Sequence, residues 1–281
     1  MELHDFETDV SGMPAENTNR NNARQPDREV LGGLQIVTVG GLPIHVLDRE
    51  EAARLLIRVA RERKRGGRPF FSTSANGEVI VRAHADPQFA RMLRESDQIL
   101  ADGQPMVTAS RRFCPVPLPE RVATTDLFHN VAALAETGGD TFYLLGASEA
   151  ENSRAVAIIR ARYPRLRIAG HSHGYLQGAE LDAKIREIDA LAPDILWLGM
   201  GVPREQLFVE QYGTALTHVG VIKTAGGLFD HISGKNPRAP RWMQQAGFEW
   251  LWRTLMEPRR LLWRYLSTNP RAIYLLLTKS G

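Results

Sequence analysis

From Leu34 onward, short apolar β-rich runs alternate with segments whose apolar residues recur every three or four positions. The run QIVTVGGLPIHVL (residues 35–47) predicts two strands around Gly40-Gly41. Asp48 and Glu51 have the spacing of a capping box, in which each side chain takes an N–H that the first helical turn leaves unpaired. The helix they open carries Ala52, Leu55, Leu56 and Val59 on one face and is expected to end at Gly66-Gly67.

RPFFSTSA reads as a strand ending at Asn76, followed by a helical stretch and a second helix near residues 87–95. QILADG (98–103) reads as a short strand closing on an acid, TFYLLG (141–146) as another, and 167–169 as a third. Helical patterns cover 125–137, 150–163 and 181–191, and DILWLGMG (194–201) and VGVIKTAGG (219–227) have the continuous apolar character of buried strands. Strands alternating with helices predict an α/β fold, a mainly parallel Rossmann-like sheet flanked by helices. After Gly234 the rhythm stops and the chain turns helical and basic. The expected organisation is a disordered leader (1–30), an α/β core (31–234) and a helical appendage (235–281).

Charge sharpens that boundary. The whole chain carries +3, whereas the segment from Lys235 onward holds nine Lys/Arg against two Asp/Glu, a local +7, which leaves −4 for residues 1–234. Four of the five tryptophans lie in RAPRWMQQAGFEWLWRTLMEPRRLLWRYL (238–266), interleaved with arginines. Aromatic rings beside arginines suit an interface apolar on one side and anionic on the other, such as a phospholipid surface or a lipid-linked pyrophosphate. Helix docking on the core is the simpler use of these aromatics, but it leaves the arginines unexplained. Arg260 and Arg264 share a helix face, and Arg253 could join them across the Glu257-Pro258 break. No run approaches the roughly 20 apolar residues that span a bilayer, so membrane attachment is expected to be peripheral. The single cysteine, Cys114, fits a reducing cytoplasm. The acidic balance of the core argues against nucleic acid as a partner.

In an open parallel sheet, ligands bind at the carboxyl ends of the strands. Five motifs stand there: Ser74-Ala75-Asn76, Ala101-Asp102-Gly103, Gly146-Ala147-Ser148, Gly199-Met200-Gly201 and Ala225-Gly226-Gly227. Asp102 has two readings, a desolvated general base or an N-cap for the helix after it. Gly199, Gly201, Gly226 and Gly227 either make tight turns or bring backbone N–H groups to phosphate. Arg121 is either a solvated loop arginine or a phosphate partner. His171 and His173 lack a third ligand at suitable spacing, and there is no D-x-D element, Walker loop or G-x-S-x-G elbow.

The segments STSANGEVI, ILADGQPMV, LPERVATTDLF, FYLLGAS and DILWLGMGVPREQ, and above all AGGLFDHISGKNPRAPRWMQQAGFEWLWRTLMEPRRLLWRYL, resemble the WecG/TagA/CpsF glycosyltransferases, exopolysaccharide-type members in particular. The resemblance implies an inverting, metal-independent transfer of a hexose from a UDP-sugar to a polyprenyl-diphosphate-linked saccharide. The enzyme would work at the anionic inner face of the cell membrane, as a cytoplasmic peripheral protein. It implies Asp102 as the base, with Asn76 and Arg121 at the substrates and Arg253 and Arg260 at the lipid diphosphate or the departing UDP. Ser74, Gln206, the four glycines and Arg264 are candidate substrate contacts from their place in the chain. Family behaviour also implies a homo-oligomer that dissociates when the tail docks. Two departures stand out: Glu205-Gln206 replaces the family's usual Gln-Glu order, and Trp263 occupies the register of the third tail arginine. The rival reading is a non-catalytic nucleotide-binding regulator with a basic membrane-interaction tail.

Overall fold

The computed structural model describes residues 33–63, 65–240, 242–243, 249–256 and 258–281. The expected leader lies outside the described residues.

β1 (Ile36–Val39) and β2 (Leu42–His45) form an antiparallel hairpin turned by Gly40 and Gly41, both at positive φ. α1 (Arg49–Glu62) opens on the predicted box: Glu51 N–H donates to Asp48 Oδ1 (2.7 Å) and Asp48 N–H to Glu51 Oε2 (2.9 Å). Its predicted apolar face is buried. The helix stops four residues short of Gly66. Arg63 turns extended, and Arg65 is drawn to Asp194 at the foot of a core strand (2.8 Å).

The central sheet has six strands in the order β4-β3-β8-β7-β5-β6, every pair parallel. These are β3 (Phe70–Ala75), β4 (Gln98–Ala101), β5 (Thr141–Gly146), β6 (Arg167–Ser172), β7 (Ile195–Gly199) and β8 (Val221–Thr224). The connecting helices are α2 (Gly77–Ala85), α3 (Pro87–Arg94), α4 (Gln104–Phe113), α5 (Thr124–Gly138), α6 (Glu149–Arg162), α7 (Gly178–Leu191), α8 (Arg204–Tyr212) and α9 (Leu228–Ile232). One face of the sheet packs against α1, α5 and α6 through Phe128, Phe142 and Trp197, with ring centroids 4.9 Å apart for Phe128 and Trp197. The other face packs against α7 and α8 through Ile185, Ile188, Phe208 and Val209. Cover on both faces explains why the strands read as unbroken apolar runs. After β4, at one edge, the chain crosses to β5 on the far side, and that reversal opens a crevice at the strand ends.

α10 (Glu249–Met256) and α11 (Pro258–Thr278) follow the core. The expected appendage is anchored at its far end. Ala272, Leu275 and Leu276 are buried, the two leucines in the cluster formed by the hairpin and α2–α4. Gly41 N–H donates to Lys279 O (2.7 Å), and Gly281 N–H to Thr38 O (3.1 Å). Trp242, Leu255, Trp263 and Leu266 remain exposed. No described helix is long and apolar enough to cross a membrane.

Candidate active site

A cavity of about 700 Å³ sits over the carboxyl ends of β3, β4, β5, β7 and β8, with α11 along one wall. All five strand-end motifs contribute to it, through Ser74 and Asn76, Asp102 and Gly103, Ala147, Gly199 to Gly201, and Ala225 to Gly227. Close strand approach sets its floor: a Cβ on Gly146 would lie 2.1 Å from the carbonyl oxygen of Gly199.

Asp102 leaves β4 at the bottom of this cleft. The helix directly after it, α4, has Gly103 as its N-cap and no side-chain cap, so the expected N-cap role there is not filled by Asp102. Asp102 caps a different helix. Its Oδ2 accepts from both the backbone N–H (3.1 Å) and the hydroxyl (3.0 Å) of Thr124, the first residue of α5. Burial raises the Asp102 pKa above the usual carboxylate value; the nearby Arg121 charge, the Thr124 bonds and Lys223 pull the other way. Arg121 lines the same cleft. Asn76 caps α2, its Oδ1 accepting from Val79 N–H (3.1 Å), so any ligand contact falls to its NH₂ group.

The glycine loops are held from within. Oε1 of Glu205, at the start of α8, accepts from the N–H groups of Met200 (3.0 Å), Gly201 (3.1 Å) and Gly226 (2.6 Å). A carboxylate of the protein itself thus takes the donors of Gly201 and Gly226 that were expected to face phosphate. Burial pushes the Glu205 pKa up to about 7 against the three N–H bonds and the Lys223 charge. Gln206, the expected substrate contact, is buried away from the cavity, and its Nε2 donates to Thr73 Oγ1 (3.3 Å). Consecutive helical residues point about 100° apart, so only one of the pair can face the cleft.

Three contributors escaped the sequence reading. Lys223, in β8, is fully buried beneath the cleft, and burial lowers its pKa to about 8 against the pull of Asp102 and Glu205. A lysine inside an apolar strand was the available signal, because a buried charge needs partners. Arg204 lines the cleft and donates to Gly174 O (2.8 Å). Arg238 lines it too and is ion-paired with Asp126 in the first turn of α5. His171 and His173 serve the fold: His171 Nδ1 is 2.9 Å from Asn152 Oδ1, and His173 Nδ1 accepts from Tyr175 N–H. Arg253 falls in α10 and Arg260 and Arg264 in α11, but their side chains lie outside the described residues.

Comparison with known proteins bears on this cleft directly. A profile described as "Glycosyl transferase WecG/TagA/CpsF family" matches residues 37–280. The N-acetylglucosaminyldiphosphoundecaprenol N-acetyl-beta-D-mannosaminyltransferase of Bacillus subtilis (strain 168) is 32% identical over 71% of this chain and 75% of its own length. Those so named from Bacillus spizizenii (strain ATCC 23059 / NRRL B-14472 / W23) and Staphylococcus aureus (strain MRSA252) are 30% and 27% identical, over 74% and 68% of this chain and 78% and 74% of theirs. The match covers hairpin, sheet and tail alike, and the chain belongs to the WecG/TagA/CpsF family of glycosyltransferases.

Proposed function

We propose that this enzyme transfers a hexose from a UDP-sugar to a saccharide carried on a polyprenyl diphosphate, with inversion and without a metal ion. The relatives' acceptor, an N-acetylglucosaminyl-diphosphoundecaprenol, supports the lipid-linked acceptor class. The observation that carries the reaction type is Asp102, a carboxylate of raised proton affinity at the bottom of a cleft shared with Arg121. Thr124 occupies Oδ2 and fixes the group, and Oδ1 takes the proton of the attacking hydroxyl. That hydroxyl oxygen forms the new bond to the anomeric carbon as the bond to the UDP oxygen breaks, and UDP departs with the electron pair. Arg121, Arg204 and Arg238 supply positive charge for the departing diphosphate. EDTA is expected to leave turnover unchanged.

The acceptor reaches the cleft from the side of α11, whose Thr268, Asn269 and Ile273 line it. The enzyme then works as a peripheral protein on the anionic inner face of the cell membrane, with Trp242 and Trp263 against the lipid and basic tail residues each worth about 1 kcal/mol near such a surface. Replacing both tryptophans by serine should weaken binding to anionic vesicles; removing the tail would also strip Leu275 and Leu276 from the core. Which hexose is moved is decided by assaying purified protein with a short-chain polyprenyl-diphosphate sugar against a panel of UDP-sugars, with mass spectrometry of the product. We expect Asp102→Asn to be about 100- to 10,000-fold slower in the reaction that the panel identifies. An active Asp102→Asn enzyme overturns the assignment.

A further inference from the structure

Lys223 is sealed beneath the cleft, yet a continuous chain of polar atoms joins it to the carboxylate above. Its Nζ donates to Ser74 Oγ (2.8 Å) and to Thr224 O (3.1 Å). Ser74 Oγ lies 3.1 Å from Thr124 Oγ1, and Thr124 Oγ1 donates to Asp102 Oδ2 (3.0 Å). An ammonium only donates and a carboxylate only accepts. The two hydroxyl protons between them therefore point one way, Ser74 to Thr124 and Thr124 to Asp102. Each bond in such a chain strengthens the next.

We propose that Lys223 is a positioning residue for the transfer, holding Asp102 ionised and fixed in orientation through the Ser74 and Thr124 hydroxyls. The proposal rests on Asp102 being the base. The charged groups facing Asp102 are Arg121, from the loop before α5, and Lys223; those facing Lys223 are Asp102 and Glu205. Lys223, with its proton affinity lowered to about 8, is charged at neutral pH. The Lys223 charge opposes the burial that raises the Asp102 pKa, so its effect is read on the acid limb of the pH profile.

The test is kcat and KM against pH for the full chain with the UDP-sugar and short-chain lipid acceptor that the panel identifies, with UDP affinity by calorimetry. Lys223→Met should move the acid limb of kcat/KM upward, by less than removal of the Arg121 charge does. Its kcat should recover toward the parent value above that limb, with UDP affinity kept. Thr124→Val should shift the limb the same way, and Thr124→Ser, which keeps the hydroxyl, should restore the parent profile. Should Lys223→Met not fold, Ser74→Ala, which cuts the chain between Lys223 and Thr124 and leaves the Thr124 bond to Asp102 in place, should shift the limb the same way. An unmoved acid limb in the folded variants overturns the proposal while an inactive Asp102→Asn enzyme leaves the base standing. Full activity in Asp102→Asn would instead remove the base itself.

Discussion

Two carboxylates, partly buried Asp102 at the end of β4 and fully buried Glu205 at the start of α8, face one cleft and share one lysine. Burial raises the proton affinity of both. They differ in what they hold. A single Glu205 oxygen gathers N–H groups from two separate loops and staples the ends of β7 and β8. Asp102 takes both its donors from one residue and keeps an oxygen for the cleft. The number of loops tied to a carboxylate, more than its proton affinity, separates the anchor Glu205 from the proposed base Asp102.

Four substitutions test that contrast. The largest effect belongs to Asp102→Asn, where kcat should fall about 100- to 10,000-fold while thermal stability and UDP affinity, read by melting and calorimetry, stay near the parent. Glu205→Ala should do the reverse. It strands three backbone donors and should cost about 3 kcal/mol, or about 6–12 °C in Tm by scanning fluorimetry. A Glu205→Ala protein of unchanged Tm would mean that the loops hold themselves. Arg121→Ala removes the main opposing charge from Asp102. Its acid limb in kcat/KM should rise by about one pH unit; an unmoved limb would show that the guanidinium does not act on Asp102.

The fourth test is a pH slope. Glu205 binds its proton more tightly folded than unfolded, with a pKa of about 7 against an ordinary 4.5. Its contribution to stability is therefore full below about 4.5 and lost as pH rises through about 7. Glu205→Gln keeps an acceptor oxygen and cannot ionise. Parent Tm should decline relative to Glu205→Gln between about pH 5 and 7.5, and parallel curves would remove Glu205 from the titrating set.

The strand–helix alternation was legible because both sheet faces are covered, which writes strands as apolar runs and helices as striped ones. The strand-end motifs could be located for the same reason, since a parallel sheet sends its carboxyl ends to one side. What escaped depended on angle and distance in three dimensions. The choice between Glu205 and Gln206 is a rotation of about 100° on one helix, invisible in a pair of adjacent polar letters. The link from Lys223 to Asp102 passes through residues on four elements, β8, β3, α5 and the end of β4. The helix that Asp102 caps starts 22 positions downstream, so no local spacing announces it. The end of α1 was misplaced because Arg63 turns extended three residues before Gly66, and the contact of the following turn, Arg65 with Asp194, spans 129 positions.

For anyone redesigning selectivity, the contact between Gly146 and the Gly199 carbonyl draws a boundary around the mutable positions. A mutant library that varies Gly146 would spend its members on proteins with β5 and β7 wedged apart, because even one methyl group has no room there. Diversity is better placed at Tyr175 and Met200, which border the cavity beside that fixed junction and can change its shape without prising the sheet open.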